Sequence, residues 1–159
     1  MIEFAFRWAA ASDYAELGRV MYEAIHSAAD SPYTRAQRNA WLNKPPQGDL
    51  WNRRLSQQDI IVAETNDRLV GFMSLADADY LDFAYILSDY RGMGLFRQLY
   101  ARLEKRAYKR GQDRIWVHAS LKAAPAFDAM GYTRLKSESI HRGGEYLDRF
   151  EMEKKLLVI

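Results

Sequence analysis

The 159-residue sequence has no cysteine, four prolines, three histidines and no apolar run that approaches a membrane span. Without cysteine there are no disulfides, no thiolate metal ligands and no thiol nucleophile. No serine sits in a convincing nucleophile motif, and no metal site is expected. Met1-Ile2-Glu3-Phe4 lacks the basic and apolar regions of a signal peptide, so a cytoplasmic location without a membrane partner is expected. The balance of 23 Lys and Arg against 21 Asp and Glu leaves a net charge of +2, too small to argue for nucleic acid. Repeats and low-complexity segments are also missing. What is present is 48% hydrophobic residues, enough to fill one sizeable core, and a single domain over residues 1–159 is expected.

The stretch of residues 86–111 organises the chain. An apolar run over 81–87 enters a short polar corner, Ser88-Asp89-Tyr90-Arg91-Gly92-Met93-Gly94, and a helix follows with Leu95, Leu99, Leu103 and Ala107 on one face. Two glycines let the backbone turn sharply and approach a ligand without a Cβ in the way. The first amides of the helix lack intrahelical partners and converge on one place, which suits phosphate, and Arg91 adds a fixed positive charge there.

Before this corner, residues 3–8 alternate weakly as an edge strand. Asp13 and Glu16 have capping-box spacing ahead of a helix to about His26, and Thr34 and Gln37 repeat that spacing ahead of a shorter helix with Ala40, Trp41 and Leu42. Residues 44–48 form a loop, and 50–55 suggest one more short helical piece. The period then changes: 60–64 and 69–75 pair as a hairpin across Asn66-Asp67, and 80–87 is the strand that feeds the corner. Gly111 ends the main helix, 114–119 reads as a strand, and that connection makes a right-handed crossover between parallel strands. A helix over 123–130 tolerates Pro125 only in its first turn, and two strands, 132–141 and 145–154, flank the Arg142-Gly143-Gly144 turn.

Two motifs carry a resemblance. Arg91-Gly92-Met93-Gly94-Leu95-Phe96 resembles the R-G-x-G-x-G or R-G-x-G-x-A segment of the GNAT acetyltransferase superfamily, with Phe96 in the sixth place. Ser120-Leu121-Lys122-Ala123-Ala124-Pro125-Ala126-Phe127-Asp128-Ala129-Met130-Gly131-Tyr132 resembles its N-x-x-A-x-x-F-Y-x-x-x-G-F segment, with Phe127 where a catalytic Tyr is usual. With His26, Tyr33, Gln37 and Trp41 upstream, the chain looks like a small bacterial, uncharacterised branch of that superfamily. The resemblance implies an α/β fold of the α+β kind: a mixed, mostly antiparallel twisted sheet of about six to seven strands with about four helices, splayed where the cofactor binds. It implies acetyl-CoA as cofactor, held by Tyr85, Ile86, Leu87, Arg91, Gly92, Met93, Gly94, Leu95, Phe96, Arg97, Ser120 and Phe127. The implied reaction is direct acetyl transfer to a primary amine of a small molecule or peptide.

A base must then accept the amine proton, and a main-chain N–H of the 81–87 strand can polarise the carbonyl. Asp82, Tyr80 and His118 are the catalytic candidates, with Asp79 beside them, while His26, Tyr33 and Trp41 are the candidate acceptor pocket. Each has a plainer alternative: strand-end carboxylates are usually solvated, and aromatics such as Trp41, Trp51 and Tyr33 usually pack. The basic series Arg97, Arg102, Lys105, Arg106, Lys109 and Arg110 reads first as a solvated helix face. A homodimer is left open. The second functional reading is an acyl-CoA-binding or partner-regulating module that has kept the fold and lost the chemistry.

Overall fold

A computed structural model describes residues 1–157. Its sheet has seven strands: β1 (Ala5–Trp8), β2 (Asp59–Thr65), β3 (Arg68–Leu75), β4 (Tyr80–Ile86), β5 (Arg114–Ser120), β6 (Thr133–Arg142) and β7 (Glu145–Lys155). They lie in the order β1-β2-β3-β4-β5-β7-β6. Every neighbouring pair is antiparallel except β4 and β5. Five helices cover the two faces: α1 (Tyr14–His26), α2 (Arg35–Trp41), α3 (Asp49–Ser56), α4 (Leu95–Lys109) and α5 (Ala124–Ala129). The fifth is the short piece after the 44–48 loop, which joins the four expected helices.

Each face of the sheet has its own core. On one side Leu17, Val20, Met21 and Ile25 of α1, with Trp51 and Leu55 of α3, pack on Ile60, Val62, Phe72 and Phe83. On the other, the α4 stripe Leu95, Leu99, Leu103 and Ala107 packs on Ile61, Met73, Leu81 and Val117. Alternation along β2 sends neighbours to opposite faces, so Ile60 and Val62 meet α1 while Ile61 and Ala63 meet α4.

Two capping signals had different outcomes. Thr34 and Gln37 form the expected box, with Gln37 N–H donating to Thr34 Oγ1 at 3.1 Å and Thr34 N–H to Gln37 Oε1 at 2.8 Å. Asp13 and Glu16 do not. The guanidinium of Arg7 and the Ala10 amide occupy Asp13, and Glu16 Oε1 accepts from Arg19 and from the Leu69 amide. Other partners have taken both ends of the local box, only one of them, Leu69, distant in sequence, and α1 leaves a 3-10 turn at Ala11–Asp13 instead.

The feature that positions the site is in β4. Leu75 pairs with Leu81 but Met73 pairs with Ala84, so Asp82 and Phe83 together face Ser74. That is a β-bulge, in which the Phe83 amide donates to the buried Ser74 Oγ at 3.1 Å. On the opposite edge β4 meets β5 only at Tyr80↔Trp116 and Leu81↔Val117. Beyond those pairs β5 continues along β7 to Ser120, while β4 remains with β3. The sheet therefore splays between β4 and β5. No helix among the described residues is long and apolar enough to cross a membrane.

Candidate active site

The glycine corner lies at the mouth of this splay. Gly92 and Gly94 have φ of +75° and +80°, a left-handed backbone that opens α4 after the 3-10 turn Ser88–Tyr90 that follows β4. Among the described residues, the amides of 92–97 have no protein acceptor, whereas the flanking amides are engaged, Arg91 on Ser88 and Gln98 on Gly94. Unpaired donors at a helix start suit an anion. Arg91 and, from the far wall, Lys122 both contact the exposed Asp30 carboxylate, so two cations face the opening with one anion between them.

Behind the corner is a cavity of about 400 Å³ whose walls are Ala84, Tyr85 and Ile86 of β4, the 91–97 corner, and Ala123, Ala126 and Met130 around α5. A second cavity of about 240 Å³ lies on the α1–α3 side, lined by Tyr80, Asp82, His118, Arg54, Arg142 and Arg149 among others. Tyr33, Trp41, Tyr85 and Ser120 line both. The two spaces meet across the splay.

In the second cavity the Tyr80 hydroxyl and His118 Nδ1 are 2.9 Å apart. His118 Nε2 faces Glu138 Oε1 at 3.5 Å and Glu151 Oε1 at 3.7 Å. These carboxylates favour the tautomer with the proton on Nε2, which leaves Nδ1 to accept from Tyr80. Burial holds the His118 pKa below its ordinary value, and the nearby Arg149 charge adds to this against the opposing pull of Glu138 and Glu151. The neutral imidazole is thereby favoured at pH 7. Burial and the Asp82 charge push the Tyr80 phenol up.

Most predicted cofactor residues line the first cavity: Tyr85, Ile86, Arg91, Gly92, Gly94, Leu95, Phe96, Arg97 and Ser120. Three do not. Leu87 donates its amide to Val70 and packs towards the cores, and Met93 turns outward, 44% exposed, towards Met1 and Ile2. Phe127 is 1% exposed and packs against Phe96 and Tyr132, with ring centroids 5.2 and 5.0 Å away. The phase of α5 decides this last case: Ala123, Ala126 and Met130 face the cavity, so 124 and 127 face the core.

Among the catalytic candidates, Asp82 is already engaged. Arg54 donates to both its oxygens at 2.8 and 3.1 Å, and Gln58 Nε2 donates at 2.7 Å, which ties α3 to the bulge. Asp79 lines neither cavity and sits in a positive-φ turn before β4. Of the expected acceptor pocket, Tyr33 and Trp41 are at the junction, but His26 is elsewhere: its Nε2 meets the Leu42 carbonyl and its ring stacks on Tyr22. Sequence reasoning missed Lys122, Ala126 and Met130 in the first cavity and Arg54, Arg142 and Arg149 in the second. The first three lie inside the 120–132 motif. The arginines reach the site from three separate elements with no local signal.

The position of Phe127 carries a prediction. Phe127→Tyr puts a hydroxyl into the packed core below the cavity, where an unpaired polar group costs about 1–3 kcal/mol. The variant is expected to melt at a lower temperature and to show no gain in acetyl transfer. A faster enzyme of unchanged melting temperature is the contrary result.

This fold and corner match known proteins. Residues 29–156 match the model of the acetyltransferase (GNAT) domain, and the chain belongs to that family. It is 25% identical over 143 residues to the uncharacterized N-acetyltransferase YafP of Escherichia coli (strain K12), covering 90% of each chain. A GCN5-related N-acetyltransferase from Rhodopseudomonas palustris, also described as "Aminotransferase, Class-II", superposes with a TM-score of 0.89 at 29% identity over 98% of both chains. The PaiA N-acetyltransferase of Thermoplasma acidophilum, solved in complex with coenzyme A, shares the fold with a TM-score of 0.72 at 21% identity over 98% of this chain and 100% of that one.

Proposed function

We propose that this acetyltransferase uses acetyl-CoA and moves the acetyl group directly to a primary amine of a small molecule or peptide, which enters through the second cavity. The observation that carries this reading is the meeting of two unlike spaces at Tyr33, Trp41, Tyr85 and Ser120. One has unpaired helix-start amides and apolar walls. The other has a neutral imidazole hydrogen-bonded to a phenol.

The residues fit the cofactor. Free amides at 92–97, with Arg91 and Lys122, suit its phosphates, which compete with Asp30 for the two cations. The β4 edge beyond Leu81 has left β5 and offers main-chain groups to an amide-bearing arm, as an added strand does. Bound acetyl-CoA supplies an activated thioester carbonyl. The chain then has to orient the amine, accept one proton and receive negative charge.

Tyr80 and His118 form the proton path. The phenol oxygen takes a proton from the amine as its own passes to Nδ1, and the resulting imidazolium faces Glu138 and Glu151. Without a cysteine and without a serine nucleophile motif, no acetyl-enzyme step is assigned. Thiol release from acetyl-CoA against a panel of polyamines, amino acids, aminoglycosides and peptides is expected to show at least one amine-dependent signal. Tight coenzyme A binding with release at the buffer rate across the panel favours the module reading instead.

A further inference from the structure

Breaking the thioester leaves negative charge on sulfur, and Phe127, buried in the core, has no hydroxyl to meet it. The question is which group at the junction of the two cavities can. The Tyr33 hydroxyl is committed, donating to the Asp148 carbonyl at 2.6 Å and accepting from the Leu121 amide at 2.9 Å. Ser120 Oγ accepts from the Ala123 amide at 3.1 Å and is tied to the start of α5. Trp41 offers an indole N–H from the seven-residue α2. The Tyr85 hydroxyl has no hydrogen-bond partner among the described residues, and the residue lines both cavities.

We infer that Tyr85 donates a hydrogen bond to the thioester sulfur and to the thiolate that leaves, standing in for the hydroxyl that Phe127 lacks. This rests on the acetyl-CoA reading above.

Three observations support it. Trp41, Phe72 and Phe83 surround the ring at centroid distances of 6.2, 5.9 and 6.3 Å, so its direction is fixed before any ligand arrives. The hydroxyl of the half-buried Tyr85 has no protein partner among the described residues and its residue lines both cavities, so it is free to donate to a ligand in the splay. Burial pushes this phenol well above the ordinary range, so at working pH it keeps its proton and donates. As a C–N bond replaces the C–S bond, one proton leaves the acceptor nitrogen along the Tyr80–His118 path and one reaches the sulfur from solvent. Tyr85 gains and loses none.

The test compares coenzyme A with desulfo-coenzyme A by calorimetric titration at about pH 8, where part of the thiol is ionised. Wild type is expected to prefer coenzyme A by roughly 10-fold, the lower end of what a hydrogen bond to a charged group supplies. Tyr85→Phe is expected to bind the two equally, with affinity for the desulfo compound unchanged. Ultraviolet titration of the bound thiol should show its pKa raised in the variant, and kcat should fall by roughly 10- to 100-fold. Near-ultraviolet circular dichroism checks that the variant is folded. Unchanged discrimination in Tyr85→Phe overturns the inference, as does a loss that follows Ser120→Ala or Trp41→Phe instead. If wild type binds neither compound, the acetyl-CoA reading fails and takes this one with it.

Discussion

Gly94→Val is expected to weaken coenzyme A binding by about 100-fold or more while the sheet stays folded. A valine Cβ at this position meets only Gln98 Nε2, 4.0 Å away, so the protein has room for it. The difficulty is the backbone. At φ +80° a β-branched residue is strained by roughly 1–2 kcal/mol, and the corner relieves this by rotating towards negative φ. Rotation re-aims the unpaired amides of the corner. Losing two charge-assisted hydrogen bonds of about 1.5 kcal/mol each already gives more than 100-fold. The control is Gly111→Val, a position at φ +75° with open space around it at the far end of α4. The two variants should lose similar stability in thermal melts, and only Gly94→Val should lose affinity in titration. Equal affinities would mean that the corner does not hold the phosphates.

Features carried by local chemistry were legible in the sequence. The leucine stripe of α4 recurs with helical spacing because one face packs on the sheet, and the glycines before it stand out because left-handed backbone suits glycine. The Thr34 box formed since its partners are three residues apart with no competitor nearby. The Asp13 box failed because Arg7 and the Ala10 amide took Asp13 while Glu16 turned to Arg19 and to the Leu69 amide, and no window of sequence contains Leu69 beside Glu16. Phe127 is a matter of helical phase. A motif aligned on its glycine assigns 127 to the cavity, but α5 is only six residues long and the core claims its largest side chain. Asp82 looked available because Arg54 and Gln58, which fill its lone pairs, come from the end of α3 and the turn after it. The junction of the cavities depends on where β4 and β5 stop pairing. Hydrophobic pattern does not encode that, since alternation along a strand sets which face a side chain takes and not where two strands part.

His118→Gln is expected to lower kcat by between about 100- and 10,000-fold, the range a positioned base supplies, and to remove the acid limb of its pH profile. The sign follows from the environment. Burial and Arg149 depress the imidazole pKa below its ordinary 6.5, despite Glu138 and Glu151. The base form therefore predominates at pH 7, and kcat at saturating acceptor should fall on acidification below 6.5. Glutamine keeps polar contact with Tyr80 but accepts no proton in this range, so its residual rate should lack that fall. Tyr80→Phe cuts the same path at its outer end and is expected to lose a comparable factor, because the amine then reaches Nδ1 only through water. Asp82→Asn separates chemistry from support. With Arg54 and Gln58 on its oxygens, it should lower the melting temperature and leave the acid limb where it is. Stability gives a readout free of turnover: the unfolded chain binds the His118 proton at higher pH than the folded one, so wild type loses stability as pH falls through 6.5. That increment should be missing from His118→Gln. An acid limb that survives in His118→Gln and disappears in Asp82→Asn would move the base to the carboxylate and leave the Tyr80–His118 pair a packing contact.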